Sequence, residues 1–304
     1  MTINDKCFFL GGQPRSGTTL LTSLLNSSID LFQAYELHIR KPSFILGNNK
    51  NYTKNIFKYL GLSETKYLEI IDNHKKNFEN MNLGNWSGPK EYSSAELLTG
   101  KETVNFSSEL LFRGQLVSEL MNELKYIHKK KYWGFKILND MIHIDEYFKI
   151  WPNSFFIILI RDPRDHAISV LKLNEQRIKR NQQLFFKDYE DVANHWKKDY
   201  QTTFEKIDKY KINSYVLKYE DLVQNPYEIK KKLEEKLNIN KINIDTFNTN
   251  EKIKLHTQRF KHHKNLLNKI NCNSVNQWKK IMTDEENKEF LKISGNLMSK
   301  FNYE

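Results

Sequence analysis

The stretch Lys6-Cys-Phe-Phe-Leu-Gly-Gly-Gln-Pro-Arg-Ser-Gly-Thr-Thr-Leu-Leu-Thr-Ser-Leu-Leu25 decides the fold. Its opening, Cys7 to Leu10, is apolar and of strand length. Gly11, Gly12 and Gly17 then punctuate a turn, and Leu20, Leu21, Leu24 and Leu25 recur on one helical face. Strand, glycine-rich turn and helix follow in that order. From Gly12 to Thr19 the spacing is that of a phosphate-binding loop, G-x-x-x-x-G-[K]-[ST]. In such a loop glycines let the backbone approach an anion, and successive N–H groups at a helix N-terminus bind it. Thr18 stands where nucleoside triphosphatases carry lysine, and a cation enters inside the loop as Arg15. A triphosphate needs that lysine and Mg²⁺ to neutralise its outer oxygens. The exchange therefore argues against ATP or GTP hydrolysis and for a transferred group of lower charge. No acidic residue closes an apolar strand in the Walker-B manner, because Ile160 is followed by Arg161.

Working outward, Leu31–Tyr35 reads as a second strand ending near Glu36, Trp133–Leu138 as a third, Ser154–Ile160 as a fourth and Ser214–Lys218 as a fifth. The fourth is apolar throughout, as a central parallel strand buried on both faces should be. Helices are expected over Asn105–Lys125, where leucines gather on one side, from Asp165 to Leu173, and over Tyr227–Leu237. The alternation predicts an α/β fold: a P-loop-type parallel sheet flanked by helices on both faces. The aromatic- and lysine-rich region 41–101 reads as a largely helical insertion in a single domain spanning 1–304. Phe78–Gly88 and Asn238–Asn250 read as loops, since Asn, Gly and Ser cluster there. Ligands of such sheets sit at the carboxyl ends of the strands, where every motif here falls.

A second anion site is legible after the fourth strand, in Arg161-Asp-Pro-Arg-Asp-His-Ala-Ile-Ser169. An arginine fork at a strand end and a hydroxyl eight residues on can clamp one anion. The competing reading is an Arg–Asp surface pair with Asp165 capping the helix. Taken together, Phe8-Phe-Leu-Gly-Gly-Gln-Pro-Arg-Ser-Gly-Thr-Thr-Leu-Leu21 resembles the 5′-phosphosulfate loop of sulfotransferases that use 3′-phosphoadenylyl sulfate (PAPS). Its Pro-Arg-Ser-Gly-Thr-Thr form is most similar to tyrosylprotein sulfotransferases and related bacterial enzymes. The resemblance runs by motif order from Phe8 to about Met282, with 41–101 unmatched. It implies PAPS as co-substrate, its desulfonated 3′,5′-bisphosphate (PAP) as product, and no metal. It assigns Gly12, Pro14, Arg15, Ser16, Gly17, Thr18 and Thr19 to the 5′ end of the nucleotide. Arg161 and Ser169 fall to the 3′-phosphate, and Tyr219 to a nucleotide contact. The stretch from about 255 to 285, with Ser274, Trp278 and Lys279, resembles the C-terminal segment that closes over the nucleotide. Relatives often carry Gly and a basic residue before that tryptophan, where this chain has Asn276 and Gln277. His262-His263 lack acidic or cysteine partners at ligand spacing.

In-line transfer of a sulfuryl group to a hydroxyl requires a base, cations on the moving group and alignment. Tyrosylprotein-type relatives place a glutamate at the point occupied by Glu36, which makes it the expected general base. His38 is the runner-up, and pairing of Glu36 with Arg40 is the bland alternative. His128, His143 and His166 are weaker candidates. Lys136 is an unexpected charge in the apolar run Trp-Gly-Phe-Lys-Ile-Leu138. It matches the family's lysine beside the bridging oxygen, although Ile137-Leu138-Asn139 replace the usual residues after it. Arg15 is the other stabiliser.

Composition bounds the rest. The chain has 304 residues, 39% hydrophobic and 28% charged, which supports a core and excludes wholesale disorder. The longest apolar run, Phe155–Ile160, is too short to span a membrane, and no signal peptide or stable membrane anchor is expected. Two cysteines cannot form a disulfide framework, which fits a cytoplasmic location. A net charge of +11 favours anionic ligands, but its lysines are dispersed and no nucleic-acid motif accompanies them. The expected partners are a hydroxyl-bearing (or amine) acceptor and a second copy of the chain, with no nucleic acid. A P-loop kinase and a non-enzymatic nucleic-acid-binding protein are the alternatives carried forward.

Overall fold

In the computed structural model, which describes residues 5–37, 39–40, 56–80, 108–179, 181, 183–249 and 266–303, five parallel strands form one sheet. They are β1 (Cys7–Gly11), β2 (Leu31–Glu36), β3 (Tyr132–Leu138), β4 (Phe155–Ile160) and β5 (Ser214–Lys218), in the spatial order β2-β3-β1-β4-β5. Alternate residues of the central strands feed two cores. Phe8, Leu10, Ile157 and Leu159 face helix α1 (Thr18–Asn26), which presents Leu21, Leu24 and Leu25. Phe9, Phe156, Ile158 and Ile160 face the opposite side, where the Phe9 ring lies 4.9 Å from Phe135 and 5.1 Å from Trp151. The central strands read as unbroken apolar runs because both of their faces are buried.

Helices α2 (Glu64–Asn80) and α3 (Ser108–Ile127) pack on the Phe9 side. So does α4 (Ile144–Ile150), which follows β3 through a 3₁₀ turn. α5 (Pro163–Ile178) leaves β4 directly, capped by Asp162, whose side chain accepts from the Arg164 N–H. The cap is therefore Asp162, not Asp165, and the helix starts two residues earlier than read from sequence. α6 (Tyr189–Tyr210) and the C-terminal α10 (Asp284–Lys300) complete that layer, while α7 (Tyr219–Gln224) and α8 (Pro226–Leu237) join α1 on the other. A four-residue helix, α9 (Trp278–Ile281), precedes α10.

Two sequence readings shift. α2 continues through Asn80, so the loop expected from Phe78 begins no earlier than residue 81, and 81–88 lie outside the described residues. Asn and Glu do not break a helix, and Gly84 is the first strong breaker in that stretch. Of the expected loop Asn238–Asn250, residues 238–249 are irregular apart from a 3₁₀ turn, Phe247–Thr249, and Asn250 lies outside the described residues. Among the described residues, no helix is long and apolar enough to cross a membrane.

Candidate functional site

The carboxyl ends of the strands converge on the loop that follows β1. Two glycines fix its path. Gly12 has φ +141°, and a Cβ there would lie 2.6 Å from the Leu159 carbonyl oxygen. Gly17 has φ +92°, and a Cβ would lie 2.4 Å from the Tyr219 ring. Arg15 adopts φ 73°, a left-handed conformation that costs a non-glycine residue about 1–2 kcal/mol. Its surroundings hold it there: Arg161 Nη1 donates to the Arg15 carbonyl at 2.8 Å, and Arg15 Nε donates to Ser169 Oγ at 3.3 Å. Beneath the loop, His166 Nε2 donates to the Pro14 carbonyl at 2.9 Å. The Tyr200 hydroxyl donates to the Leu159 carbonyl at 2.8 Å and accepts from the Gln13 N–H at 3.4 Å. α1 then begins at Thr18 with no side-chain cap on its first turn, so its dipole and free N–H groups face whatever the loop encloses.

Arg161 is buried and joins three parts of the site. Besides the loop carbonyl, it donates through Nη2 to the Ser274 carbonyl at 2.6 Å, and its guanidinium lies 4.8 Å over the Tyr219 ring. Its Nε is buried and has no hydrogen-bond partner among the described residues. Burial, and then the neighbouring Arg161 charge, lower the pKa of Arg15. Two guanidiniums crowded at an uncapped helix N-terminus favour a bound anion. His166 stays neutral here: burial, followed by Arg161, pulls its pKa down to about 3. That makes it a brace for the loop rather than a proton carrier at ordinary pH.

Glu36 and Lys136 meet at the ends of β2 and β3. A register shift after Ala34 sets Glu36 opposite Lys136. Lys136 is buried, and its Nζ donates to Glu36 Oε1 at 3.1 Å and to Thr19 Oγ1 at 3.2 Å. Glu36 is 40% exposed and lines the cavity described below. Arg40 pairs with Glu146 instead of Glu36. His38 lies outside the described residues. His128 Nε2 bonds to the Leu60 carbonyl at 2.7 Å, and His143 is pushed down to about 4, first by burial and then by Arg40.

The C-terminal strap is tied to the first turn of α5. Asp165, buried, accepts from the Asn276 N–H at 2.7 Å through Oδ2 and from the Trp278 N–H at 2.9 Å through Oδ1. The Arg164 guanidinium lies 3.6 Å over the Trp278 ring, held by Asp162 at 2.8 Å. Lys279 is exposed on α9, with its Nζ 5.5 Å from the Trp278 ring, and does not line the cavity; Lys269 does. His262 and His263 lie outside the described residues. Among the described residues no cluster of His, Cys, Asp or Glu could hold a metal ion.

These elements enclose a cavity of about 770 Å³. Of the residues singled out in sequence, Pro14, Arg15, Gly17, Thr18 and Thr19 line it from the loop, and Glu36 and Lys136 from β2 and β3. Arg161, Ser169, Tyr219 and Ser274 line it from the β4 and β5 side. Gly12 and Ser16 stand behind the loop as backbone and packing. From the region 41–101, Ile56, Tyr59 and Leu60 reach the cavity. Sequence reading missed Gln13 and Tyr200. Asp165 and His166 lay within the Arg161–Ser169 motif, but nothing in sequence revealed their backbone partners.

Comparison with known proteins bears on this arrangement. A family model described as "Sulfotransferase family" matches residues 8–242. No curated protein matches the chain in sequence. Among solved structures, the sulfotransferase domain from the curacin biosynthetic pathway aligns with TM-score 0.56 and 17% identity, covering 100% of this chain and 99% of that one. The sulfotransferase domain from the Synechococcus PCC 7002 olefin synthase gives TM-score 0.57 and 15% identity, covering 100% and 97%. At such identities the likeness is one of fold.

Proposed function

The chain belongs to the sulfotransferase family, and from that premise we propose that it moves a sulfuryl group from PAPS to an acceptor hydroxyl, releasing PAP. The observation that carries the donor assignment is the pair of guanidiniums, half-buried Arg15 and buried Arg161, at the uncapped start of α1, with no partner for the Arg161 Nε among the described residues. A nucleotide phosphorylated at both its 3′ and 5′ ends presents two anions, and this chain offers two anion subsites. The N–H groups of residues 17–19 and Lys136 suit the 5′ end. Arg161 and Ser169 suit the 3′ end, with Arg15 between them.

The donor supplies a sulfuryl group attached to a good leaving group. The chain's residues do the rest. Glu36, open to the cavity, takes the proton of the acceptor hydroxyl as its oxygen bonds to sulfur. Lys136, oriented by Thr19, donates to the phosphate oxygen that departs with the S–O bond pair. The two arginines hold the nucleotide so that attack and departure are in line. Atoms balance as alcohol plus PAPS giving sulfate ester, PAP and one proton.

Isothermal titration of PAP against the full chain and Arg161→Ala, beside a ³⁵S-PAPS transfer assay, tests the reading. Deleting Arg161 should weaken PAP binding by roughly tenfold or more, the loss expected for a charge-assisted hydrogen-bonding group. PAP binding that ignores Arg161 would contradict it.

A further inference from the structure

The anion site is braced by residues that do not line it. The register of β4 against β5 sets Ile160 opposite Lys218, so the residues that follow, Arg161 and Tyr219, leave the sheet side by side. Glu220, next along the chain, ties these two strand ends together. Its Oε1 accepts from the Asp162 N–H at 2.9 Å. Its Oε2 accepts from the Tyr303 hydroxyl at 2.8 Å, a residue 83 positions away that follows α10. Tyr303 is buried and anchored from several directions. Its N–H donates to the Met298 carbonyl at 3.1 Å. Lys218 Nζ lies 4.2 Å from its ring and donates to the Phe301 carbonyl at 2.8 Å. The Phe301 ring lies 5.1 Å from that of Phe204 on α6. With its ring and backbone held in this way, the hydroxyl meets Glu220 with little rotamer freedom left to lose.

Taking a carboxylate out of water is costly, and an apolar residue would pack here without that cost. Burial raises the pKa of Glu220, and the bonds from the Asp162 N–H and the Tyr303 hydroxyl oppose the rise. What the carboxylate adds is direction. It fixes the peptide N–H immediately after Arg161, whose guanidinium joins the loop, the strap and the Tyr219 ring. The same Asp162 caps α5 and holds Arg164 at 2.8 Å against the Trp278 ring of the strap. The groups that would face the nucleotide therefore start from residues that Glu220 joins.

We propose that Tyr303 and Glu220 are positioning residues of the nucleotide site: the Tyr303 hydroxyl holds the Glu220 carboxylate on the Asp162 N–H, and that hold aims Arg161 at the bound anion. This rests on the donor reading. Neither residue lines the cavity, and both act through Arg161.

The test is a double-mutant cycle read by calorimetry, with PAP titrated into the full chain, Tyr303→Phe, Arg161→Ala and the double variant. Tyr303→Phe deletes one oxygen and keeps the ring and its Lys218 contact. It should weaken PAP binding by about threefold to tenfold, the usual contribution of one hydrogen bond. KM for PAPS should rise with it while kcat stays close to wild type. In the Arg161→Ala background the same substitution should change PAP affinity by less than about twofold, because the group it aims is gone. Glu220→Ala, which drops both bonds, should cost at least as much PAP affinity as Tyr303→Phe; if it fails to fold, Tyr303→Phe decides alone. A purely structural role predicts a lower unfolding free energy for Tyr303→Phe with PAP affinity unchanged, and that result overturns the proposal. So does an equal loss of affinity with and without Arg161. A wild-type chain that does not bind PAP overturns the donor reading and this proposal with it, whereas PAP binding that ignores Tyr303 overturns this proposal alone.

Discussion

Glu36 and Lys136 share one corner of the cavity because a shift in strand register turns two edge-adjacent side chains toward each other. Their roles separate on substitution. Glu36→Gln keeps size and a hydrogen-bonding oxygen but cannot take a proton. It should lower kcat by about 10²–10⁴-fold, the usual worth of a positioned base, with PAP affinity unchanged by calorimetry. Normal turnover in Glu36→Gln would move the assignment to His38. His166 offers a different single-residue test. The unfolded chain protonates this imidazole near pH 6.5, whereas the folded chain resists until about 3. Between those values the unfolded state binds more protons, so the contribution of His166 to stability falls as pH falls. Asp165, Asp199 and Glu220, all raised by burial, pull the other way at the acid end. The informative quantity is therefore a difference between two proteins. His166→Gln keeps a donor for the Pro14 carbonyl and removes the titration. Its unfolding free energy should slope less steeply between about pH 6 and pH 5, by up to about 1.4 kcal/mol per pH unit. Identical slopes in chemical denaturation would show that His166 titrates normally.

Among the elements, α5 does the most joining, since its first turn grips both the loop and the strap. Asp165 receives two backbone N–H groups 111 and 113 residues away. Asp165→Asn leaves one good acceptor and turns the other end into a donor facing an N–H. A charged hydrogen bond of this kind contributes about 1.5–3 kcal/mol. Amides of residues 274–282 should exchange faster in hydrogen–deuterium measurements, and PAP should bind more weakly, with kcat at saturation little changed. Protection of the strap equal to wild type would sink the idea. Such a contact is invisible in sequence because backbone donors carry no residue signal. The strands were legible for the opposite reason: burial on both faces writes them as continuous apolar runs, as in Phe155–Ile160. The loop was legible because Gly12 and Gly17 have no substitutes at their φ values. α6 and α10 escaped the reading of sequence because charged and amide residues outnumber the spaced core positions, such as Val192, Trp196 and Tyr200. Asn174, whose buried amide accepts from the Phe185 N–H and donates to the Phe186 carbonyl, escaped because it looks like any polar helix residue.

Across the whole molecule, members of both cores on the two faces of the sheet border the site. Tyr219, Leu159 and Leu266 belong to one, and Tyr200 and Ile160 to the other. An anion held by Arg161, the loop and the strap therefore bridges both halves, and its binding should be felt in global unfolding. The net charge of +11 would draw in any polyanion, so charge alone does not distinguish a sulfuryl donor from ATP or nucleic acid. The fit of the ligand does. A bisphosphate that uses both subsites stabilises the native state by about 2.7 kcal/mol at a hundredfold excess over its Kd. In a chain of this length that is a rise in Tm of several degrees. Mg-ATP meets Thr18 where it needs lysine, so its outer phosphates go unneutralised and its shift should be small at the same concentration. Duplex DNA should give only weak binding that falls steeply with salt. Arg161→Ala should cut the bisphosphate shift by about half or more, in line with a tenfold or greater loss of affinity; in the unliganded chain the arginine's partners are two backbone carbonyls and the Tyr219 ring. Equal stabilisation by Mg-ATP, or a bisphosphate shift undiminished by loss of Arg161, would mean that the loop with arginine inside it and threonine at its end does not select its ligand by where the two anions fall.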